Sequence, residues 1–501
     1  MCLVVLVLTF AICILLKVVL QRWRKERNML VGIVRPPMPP ASSILGHEEL
    51  NWPGFHCTKA LEWAKEYGPV YRLNLNFTDV VVLSDVNSIK KFCKNSDGLY
   101  RSGCFIVGRD YNKGLATQNG ECWIANKRYC MSVLRDLGFA KTSMEERMMD
   151  DFRQLDARIN DIKGQAVHIR PLILSCVASN IMSFFCPNGL PGGDEALRKA
   201  TSILERMRTI MLGGAVIQFS PSLIRNLFYH IPFSRNGKVD GIMDEMDNFI
   251  RDLIRNYKPS TCENDRRGFI EGYMKKIEEV REETLPKFQE RFLVGNVKTF
   301  LIAGTFSTTN TMHWHLLNFA AKQDIQSKVH REIDEVVGTE RLPTWEDRRR
   351  MPYTLACCWE IHRWKPAPPL GMPREAEEDI LVDGFVIPKG TVVLFNLWAA
   401  HYDADLWPEP QRFDPSRFLD KDGFFAPEKL DNVIAFSVGK RSCPGEVFAS
   451  MEIFLLVTFL LQKYRVVLEE PLQYDLDDAS TSLDRLDHVK VRFVPRHSAE
   501  A

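Results

Sequence analysis

Several patterns that mark common classes of protein are missing from this 501-residue sequence. Its 65 basic and 64 acidic residues give a formal net charge of +1, so no basic excess exists to neutralise the phosphates of nucleic acid. No C-x-x-C pair occurs among the 13 cysteines, which excludes the usual spacing of zinc sites and dithiol redox motifs. No G-x-G-x-x-G follows a strand-like segment, so the chain has no recognisable dinucleotide site.

Internal repeats, low-complexity tracts and long linkers are also missing. A length of 501 residues would by itself predict several domains. Because no linker divides the body of the chain, we predict a single domain over residues 51–501. The composition, with 45% hydrophobic and 26% charged residues, is ordinary for a globular protein. The cysteines are odd in number and scattered, which favours free thiols in a reducing compartment.

The first twenty residues form an apolar run interrupted only by Thr9 and Lys17. About 20 such residues can span the hydrocarbon core of a bilayer. Basic residues follow the run, which is the reverse of the order in a cleaved signal peptide. We therefore predict a membrane anchor with a basic stop-transfer segment over 1–28, and a cytoplasmic body by the positive-inside rule. A proline-rich hinge is predicted over 29–50, where RPPMPP favours a stiff spacer.

Hydrophobic periodicity in the body predicts a mainly α fold with a smaller β-rich portion. The signals are mostly helical from about residue 120 to residue 365. The segments VYRLNLN and DVVVLS, within residues 70–84, are rich in alternating and β-branched residues and predict two strands. Asp383 and Gly384, between two apolar runs, predict a β-hairpin.

A single cysteine, Cys443, lies in a loop of small and basic residues, FSVGKRSCPG, directly before a long apolar stretch. A free cysteine is most often a buried structural thiol. Here two glycines permit close backbone approach, while Lys440, Arg441 and the helix predicted to follow favour a thiolate. No cysteine or histidine lies at zinc spacing from it, and a single thiolate is enough to ligate haem iron.

This loop resembles the haem-binding signature of the cytochrome P450 family, F-x-x-G-x-R-x-C-x-G. The fixed positions of the signature are matched by Phe436, Gly439, Arg441, Cys443 and Gly445. The resemblance implies the cytochrome P450 fold, with haem b (iron protoporphyrin IX) as the cofactor. It also implies that Cys443 is the axial ligand of the haem iron and that Arg441 pairs with a haem propionate.

Two further segments resemble structural motifs of the same family, E-x-x-R and F-x-P-x-R-F. They are EIHR, which contains Glu360 and Arg363, and RFDPSRF, which contains Arg417. Residues three apart share one face of a helix, so the alternative for Glu360 and Arg363 is an ordinary surface ion pair. The resemblance instead implies a buried network of all three side chains, with a structural role.

Two more segments resemble contacts to the haem propionates. GECWIANKRY resembles a W-x-x-x-R segment in which Trp123 fits, Lys127 takes the arginine position and Arg128 follows. The alternative for these two cations is a solvated basic helix face. PPLGMPRE implies that Arg374 lies at a propionate.

The uninterrupted helical pattern around FLIAGTFSTTNT resembles the helix that crosses the distal face of the haem. The family pattern [AG]-G-x-[DE]-T-[TS] is matched at Ala303 and Gly304, whose small size would leave room for O₂ and substrate. Phe306 replaces the acid and Ser307 replaces the threonine, so proton delivery is expected to depend on Ser307 and Thr308. The alternative is that these hydroxyls bond to backbone carbonyls of the helix.

The resemblance extends over nearly the whole chain and is closest to the microsomal animal type, especially drug- and steroid-metabolising families. It implies a monooxygenase that inserts one atom of O₂ into a lipophilic steroid, fatty acid or xenobiotic. Electrons would come from NADPH through NADPH-cytochrome P450 reductase, with cytochrome b5 as a further partner and Lys127, Arg128 and Lys440 in the docking face. The enzyme would be anchored in the lipid of the endoplasmic reticulum membrane.

The substrate pocket is expected to use residues 101–115, 294–307 and 367–371. Apolar candidates in these segments are Phe105, Ile106, Val107, Ala303 and Leu370. The replacement at Phe306 leaves two other functions open. One is an isomerase or dehydratase that acts on a peroxide without O₂ or reductase, and the other is a degenerate haem protein that binds lipophilic ligands.

Overall fold

The computed structural model describes residues 34–497, apart from 44, 52–53, 77, 104–113, 137–141, 212–218, 221, 258–267 and 281–286. The predicted anchor at 1–28 lies outside these residues. None of the helices within the described ranges is both long enough and apolar enough to cross a membrane.

Helices form most of the described chain, which confirms the predicted fold class. They are α1 (Lys59–Tyr67), α2 (Val86–Lys94), α3 (Gly120–Asp136), α4 (Thr142–Asp161), α5 (Ile169–Phe185), α6 (Gly193–Met211), α7 (Ser222–Tyr229), α8 (Arg235–Arg255), α9 (Phe269–Glu279), α10 (Glu290–Ala321), α11 (Gln323–Val336), α12 (Pro352–Trp364), α13 (Leu397–His401), α14 (Glu446–Lys463) and α15 (Leu483–Leu486). α12 begins at Pro352, a residue type well suited to the first helical position, because the N–H that proline lacks would have no partner within the helix there.

The strands are fewer and shorter than the helices. They are β1 (Val70–Leu75), β2 (Thr78–Leu83), β3 (Tyr100–Arg101), β4 (Val167–His168), β5 (Arg374–Glu375), β6 (Ile380–Val382), β7 (Phe385–Ile387), β8 (Val392–Phe395), β9 (Tyr464–Leu468) and β10 (Lys490–Pro495). One sheet has the order β1-β2-β8-β5-β3, a second β4-β10-β9, and a third consists of β6 and β7. In the first sheet, Arg101 of β3 lies directly opposite Arg374 of β5.

The turn between β6 and β7 confirms the predicted hairpin. Val382 pairs with Phe385 across the two strands. The two residues between them, Asp383 and Gly384, have φ angles of 50° and 81°. Two consecutive positive φ angles are those of a type I′ turn, whose twist matches the twist of the strands that it joins.

The described part of the predicted hinge, 34–50, lies along the β-rich portion. The backbone N–H of Arg72 in β1 donates to the carbonyl oxygen of Pro37 at 2.8 Å. The ring of His47, which is buried, lies between the carbonyl oxygens of Pro39 at 2.9 Å and Asn74 at 3.1 Å. These contacts tie the proline-rich segment to the first sheet.

The centre of the molecule is formed by α10, which packs closely against α5. A Cβ atom added to Gly304 would lie 2.8 Å from Cδ1 of Ile181 in α5. Such a separation is too short for two carbon atoms, so a larger residue at position 304 would require the Ile181 side chain to move. α14 is buried over most of its length, as its continuous apolar sequence requires.

A carboxyl group lies fully buried in α14. Oε1 of Glu452 accepts a hydrogen bond from Nδ2 of Asn180 at 2.8 Å, and Oε2 has no partner among the described residues. Burial raises the pKa of Glu452 from its ordinary 4.5 to about 8. The folded protein therefore holds this group as the neutral acid at neutral pH.

The raised pKa of Glu452 predicts a pH-dependent stability. The folded-state pKa lies above the unfolded value, so this stability is fully present below pH 4.5 and is lost as the pH rises through about 8. Glu452→Gln should remove that loss, which amounts to a few kcal/mol at about 1.4 kcal/mol per pKa unit. Thermal unfolding measured from about pH 6 to about pH 9 tests this. The exposed Glu428, changed to Gln, is the control, and a Glu452→Gln variant that keeps the wild-type slope would contradict the assignment.

Candidate active site

A cavity of about 710 Å³ brings together the two segments that the sequence singled out. Cys443, in the loop before α14, lines one part of it. Ala303, Phe306 and Ser307 line another part, from α10. The side chain of Cys443 is exposed to this internal cavity. Protein nevertheless surrounds the cavity, so the thiol is buried within the molecule as a whole.

The backbone of the loop 436–443 is closed on itself. The N–H of Cys443 donates to the carbonyl oxygen of Phe436 at 2.8 Å. Gly439 has a φ angle of 78°, and a Cβ atom added there would lie 2.8 Å from the carbonyl oxygen of Cys93 at the end of α2. Glycine is thus required twice over at this position. At Gly445 an added Cβ would meet Sγ of Cys443 at 3.8 Å, an ordinary contact.

The prediction that Lys440 and Arg441 favour the thiolate form of Cys443 is wrong, since neither contributes to the pKa of this thiol. Burial raises the pKa of this thiol above its ordinary value of 9.0, and the Glu446 carboxylate adds to the increase. The N–H groups of Gly445 and Glu446, at the start of α14, act in the opposite direction as expected. Arg441 contributes little because its guanidinium is turned away, 3.5 Å from the ring centre of Trp123.

Trp123 and Arg441 meet at the cavity wall, although they are far apart in the sequence. Nε of Arg441 donates to the carbonyl oxygen of Leu99 at 2.9 Å. Nζ of Lys127 lies 5.4 Å from the Trp123 ring centre and donates to the carbonyl oxygen of Lys440. Arg128 is exposed and does not line the cavity, so the structure does not place it at a cofactor.

Four cations lie together at this wall of the cavity. They are Arg101, Lys127, Arg374 and Arg441. Within the described residues none of them has a carboxylate in ion-pair contact. Arg101 Nε and Arg374 Nε and Nη1 have no hydrogen-bond partner there either.

Burial lowers the pKa of each of these four groups, and for three of them the neighbouring cations lower it further. Burial lowers the pKa of Arg374 to about 10, and burial together with Arg374 lowers that of Arg441 to about 9. Burial, followed by Arg374 and Arg441, lowers the pKa of Arg101. An uncompensated buried charge is strongly unfavourable. Two carboxylates, as in the propionates of haem, would compensate this cluster, so the residues present fit the cofactor.

Arg101 was not identified as a propionate residue from the sequence. It occurs in no motif, and only its place at the start of the predicted pocket loop, 101–115, singled it out. The pairing of β3 with β5 places Arg101 directly opposite Arg374 and so brings it into the cationic cluster.

The Glu360–Arg363 pair is buried, which excludes the surface alternative. Both side chains are 0% exposed, and Nε and Nη2 of Arg363 each lie 2.7 Å from a different carboxylate oxygen of Glu360. Arg417 completes the charge network less closely. Its Nε lies 3.4 Å from Oε1 of Glu360, without hydrogen-bond geometry, and its Nη2 donates to the carbonyl oxygen of Glu409.

On α10, the hydroxyl of Ser307 donates to the carbonyl oxygen of Ala303 at 2.6 Å, within the same helix. This hydrogen bond is the one expected from the alternative interpretation, in which the hydroxyls of this segment bond to backbone carbonyls of their own helix. Thr308 is buried and also lines the cavity, as does the ring of Phe306. The hydroxyl at the predicted relay position is thus held by the backbone of its own helix.

The pocket candidates Phe105, Ile106 and Val107 lie outside the described residues. Leu370 does not line the cavity and packs instead against an apolar cluster of β1, β2 and α1. Gly371, which follows it with a φ angle of 58°, changes the direction of the chain. From this segment, Pro368, Pro369 and Gly371 line the cavity.

Comparison with known proteins identifies the family. The cytochrome P450 family model matches residues 36–482. Cytochrome P450 2C23 of Rattus norvegicus is 31% identical over 471 residues, 92% of this chain and 93% of the relative. Cytochrome P450 2C44 of Mus musculus is 31% identical over 481 residues, 95% of each chain. Cytochrome P450 2U1 of Mus musculus is 32% identical over 413 residues, 81% of this chain and 77% of the relative. The chain therefore belongs to the cytochrome P450 family of haem-dependent monooxygenases.

Proposed function

We propose that this enzyme inserts one atom of O₂ into a lipophilic substrate and takes electrons from NADPH through a membrane-bound NADPH-cytochrome P450 reductase. The observation that carries the proposal is the shared cavity, in which Cys443 and one face of α10 lie beside a cluster of uncompensated cations. Bound haem would supply an iron that activates O₂, and a thiolate ligand favours cleavage of the O–O bond.

Each described residue of the site then has a defined task. Cys443 would hold the haem iron as a thiolate, and the positive charge of a bound metal would favour deprotonation of its thiol despite the raised pKa. The four cations would bind the propionates, and Trp123 positions Arg441 by stacking. Ala303 keeps the cavity open beside α10. Glu360, Arg363 and Arg417 brace the fold next to the site.

The reductase, and cytochrome b5 as a further electron donor, would dock at the basic surface around Lys440. Lys440 and Arg128 are both exposed. Lys127 belongs to the cavity wall more than to this surface, since its ammonium contacts the Lys440 carbonyl beneath it. We place the enzyme at the endoplasmic reticulum membrane, with the domain facing the cytoplasm and the lipid contacted by residues 1–28.

The test is a turnover screen with NADPH and purified reductase against steroids, fatty acids and xenobiotics, read by mass spectrometry. Products heavier by one oxygen atom, dependent on both NADPH and O₂, are expected. Product formed from an organic peroxide with neither would support the isomerase alternative, which the Phe306 replacement favours. Soret shifts without turnover under any oxidant would indicate a degenerate haem protein.

Proton supply should limit how much of the NADPH consumed by this enzyme leads to product rather than to hydrogen peroxide. Phe306 cannot carry a proton, and the Ser307 hydroxyl is already bonded to the Ala303 carbonyl. We expect much NADPH to be consumed for hydrogen peroxide, and Ser307→Ala to lower product per NADPH several-fold further. Phe306→Asp should raise it, because Arg170 reaches this wall through a 3.1 Å hydrogen bond to Asn310, one turn along α10.

The measurement for coupling is product and peroxide formed per NADPH with one accepted substrate. Phe306→Leu is the matched control, because it also removes the ring but adds no acid. Tight coupling in the wild type that Ser307→Ala leaves unchanged would rule out a relay through this hydroxyl.

A further inference from the structure

We propose that Lys365 and Cys57 form a covalent capture site for α,β-unsaturated aldehydes at the wall of the cavity. Both nucleophilic side chains line the cavity, and neither belongs to the loop of Cys443 or to the cationic cluster. The amine would form an imine with the aldehyde, and the thiol would then add to the carbon–carbon double bond. This reaction of the protein itself needs neither electrons nor O₂, so it goes beyond the monooxygenase function.

The side chains of His56, Cys57 and Lys365 meet around Trp398. Nζ of Lys365 lies 5.2 Å from the ring centre of Trp398. The ring centres of His56 and Trp398 are 5.1 Å apart, and Cys57 belongs to a buried apolar cluster with Trp398 and Tyr402. Because Trp398 also lines the cavity, an apolar molecule inside the cavity has access to this group of side chains.

Lys365 has the properties of a nucleophilic amine. It follows the last residue of α12 and is 3% exposed. Burial lowers its pKa to about 7, although Cys57, Asp477 and Asp478 act in the opposite direction. About half of these amines are therefore neutral at pH 7, and the neutral amine is the form that adds to a carbonyl carbon.

The surroundings of the amine suit its neutral form. Nζ of Lys365 donates to the carbonyl oxygens of Asp478 at 3.2 Å and Thr481 at 3.4 Å. These two acceptors match the two N–H groups of a neutral amine, whose lone pair stays free. The rings of Trp364 and Trp314, with centres 4.7 and 4.8 Å from Nζ, exclude water from it. Exclusion of water is the main cause of the lowered pKa.

Cys57 is the second nucleophile, and it needs activation of the aldehyde. Its Sγ donates to the carbonyl oxygen of Gly54 at 3.1 Å. Burial raises the pKa of the thiol, although Lys365 acts in the opposite direction. A thiol that is mostly protonated is a weak nucleophile. The protonated imine formed on Lys365 withdraws electrons from the double bond more strongly than the free aldehyde does, so it is the form to which Cys57 would add.

The two steps balance without an oxidant or a reductant. The nitrogen of Lys365 forms a C=N bond with the aldehyde carbon, and the aldehyde oxygen leaves as water. The sulfur of Cys57 then bonds to the β-carbon, and its proton goes to the α-carbon. Burial, together with Lys365, lowers the pKa of His56 to about 4, so its neutral imidazole has one donor and one acceptor nitrogen to pass this proton on. The product is a three-carbon link between positions 57 and 365.

The test is to treat the haem-loaded full chain with trans-2-nonenal, reduce it with borohydride and analyse the digested peptides by mass spectrometry. A peptide pair joined through Cys57 and Lys365 is expected. Nonanal, which lacks the double bond, should label Lys365 without joining it to Cys57.

Lys389 is the comparison site in the same chain, because it is exposed and its Nζ lies 2.6 Å from the carboxylate of Glu378. At pH 7, Lys365 should be labelled about 10- to 100-fold faster than Lys389, since a much larger fraction of its amine is neutral.

Variants separate the two steps. Lys365→Arg should abolish both the link and the labelling of Cys57, because a guanidinium keeps its protons and forms no imine. Cys57→Ser should keep the label on Lys365 and lose only the link. Cys122→Ser, which removes a partly exposed thiol, is the control and should change neither. If Lys365→Arg does not bind haem, Lys365→Met replaces it with the same expectation.

Labelling should also depend on pH. The rate at Lys365 should rise up to about pH 7 and then level off, whereas the rate at Lys389 should continue to rise, because Glu378 raises the pKa of that lysine. The charged and titratable groups around the site are His56, Cys57, Lys322, Asp477, Asp478 and Arg485.

Labelling of Lys365 no faster than that of Lys389 would overturn the proposal. Equal labelling of Cys57 in the wild type and in Lys365→Arg would overturn it as well, since the thiol would then react without the imine. The comparisons of nonenal with nonanal and of Lys365 with Lys389 use the wild-type chain, so they decide even where a variant fails to fold.

Discussion

Cys443→Ser is expected to abolish the long-wavelength Soret band of the reduced carbon monoxide complex and to remove turnover. A serine hydroxyl is not a soft, readily deprotonated ligand, so the electron donation that favours O–O cleavage is lost. The loop itself should survive, because the N–H of residue 443 that bonds to Phe436 is unchanged. The measurement is the difference spectrum, with haem content determined separately.

Cys57 provides the control, because it also lines the cavity. Its Sγ donates to the carbonyl oxygen of Gly54 at 3.1 Å, and burial raises the pKa of its thiol. Cys57→Ser should keep the wild-type spectrum. The opposite pattern, with the band kept in Cys443→Ser and lost in Cys57→Ser, would show that the ligand had been assigned to the wrong cysteine.

Glu360→Gln is expected to lower stability by about 3–5 kcal/mol, the cost of removing one member of a buried ion pair. Arg363 would then keep a buried charge while its remaining acceptors are backbone carbonyls, those of His401 at 3.1 Å and Pro410 at 2.7 Å among them. Denaturant unfolding followed by haem absorbance measures the change.

Glu378→Gln is the matched surface control. Its partner Lys389 lies at 2.6 Å, but both side chains are about 60% exposed, and such pairs contribute about 0–1 kcal/mol. Arg363→Lys should be intermediate, because lysine keeps the charge but cannot make the two parallel bonds of a guanidinium. If Glu360→Gln cost no more than the surface control, the network would have no structural role.

Features encoded by neighbouring residues could be predicted from the sequence. The Asp383-Gly384 hairpin needs two positive φ angles that these residue types tolerate, and α10 has an apolar pattern that no proline interrupts. The proximity of Cys443 and α10 at one cavity could be predicted from the signature loop, because the family motif implies where the loop lies in the fold. Residues 104–113, where three pocket candidates fall, lie outside the described ranges.

Features that depend on distant pairing could not be predicted. Arg101 joins the cationic cluster only because β3 pairs with β5. The raised pKa of Cys443 depends mainly on its burial, and the Arg441 guanidinium, although close in the sequence, is directed at Trp123, so neighbouring residues alone do not predict it. Lys365 lies among three tryptophans from α10, α12 and α13, and no local pattern joins these helices.

We expect the cationic cluster to link this protein's lifetime in the cell to its haem supply as well. Without propionates to compensate them, Arg101, Arg374 and Arg441 would repel one another inside the fold. A ligand that binds only the folded chain stabilises it by mass action, so stability rises with the concentration of free haem. A newly made chain without haem would spend more time open to proteases and chaperones, and the steady-state amount of enzyme would follow haem synthesis even at constant translation.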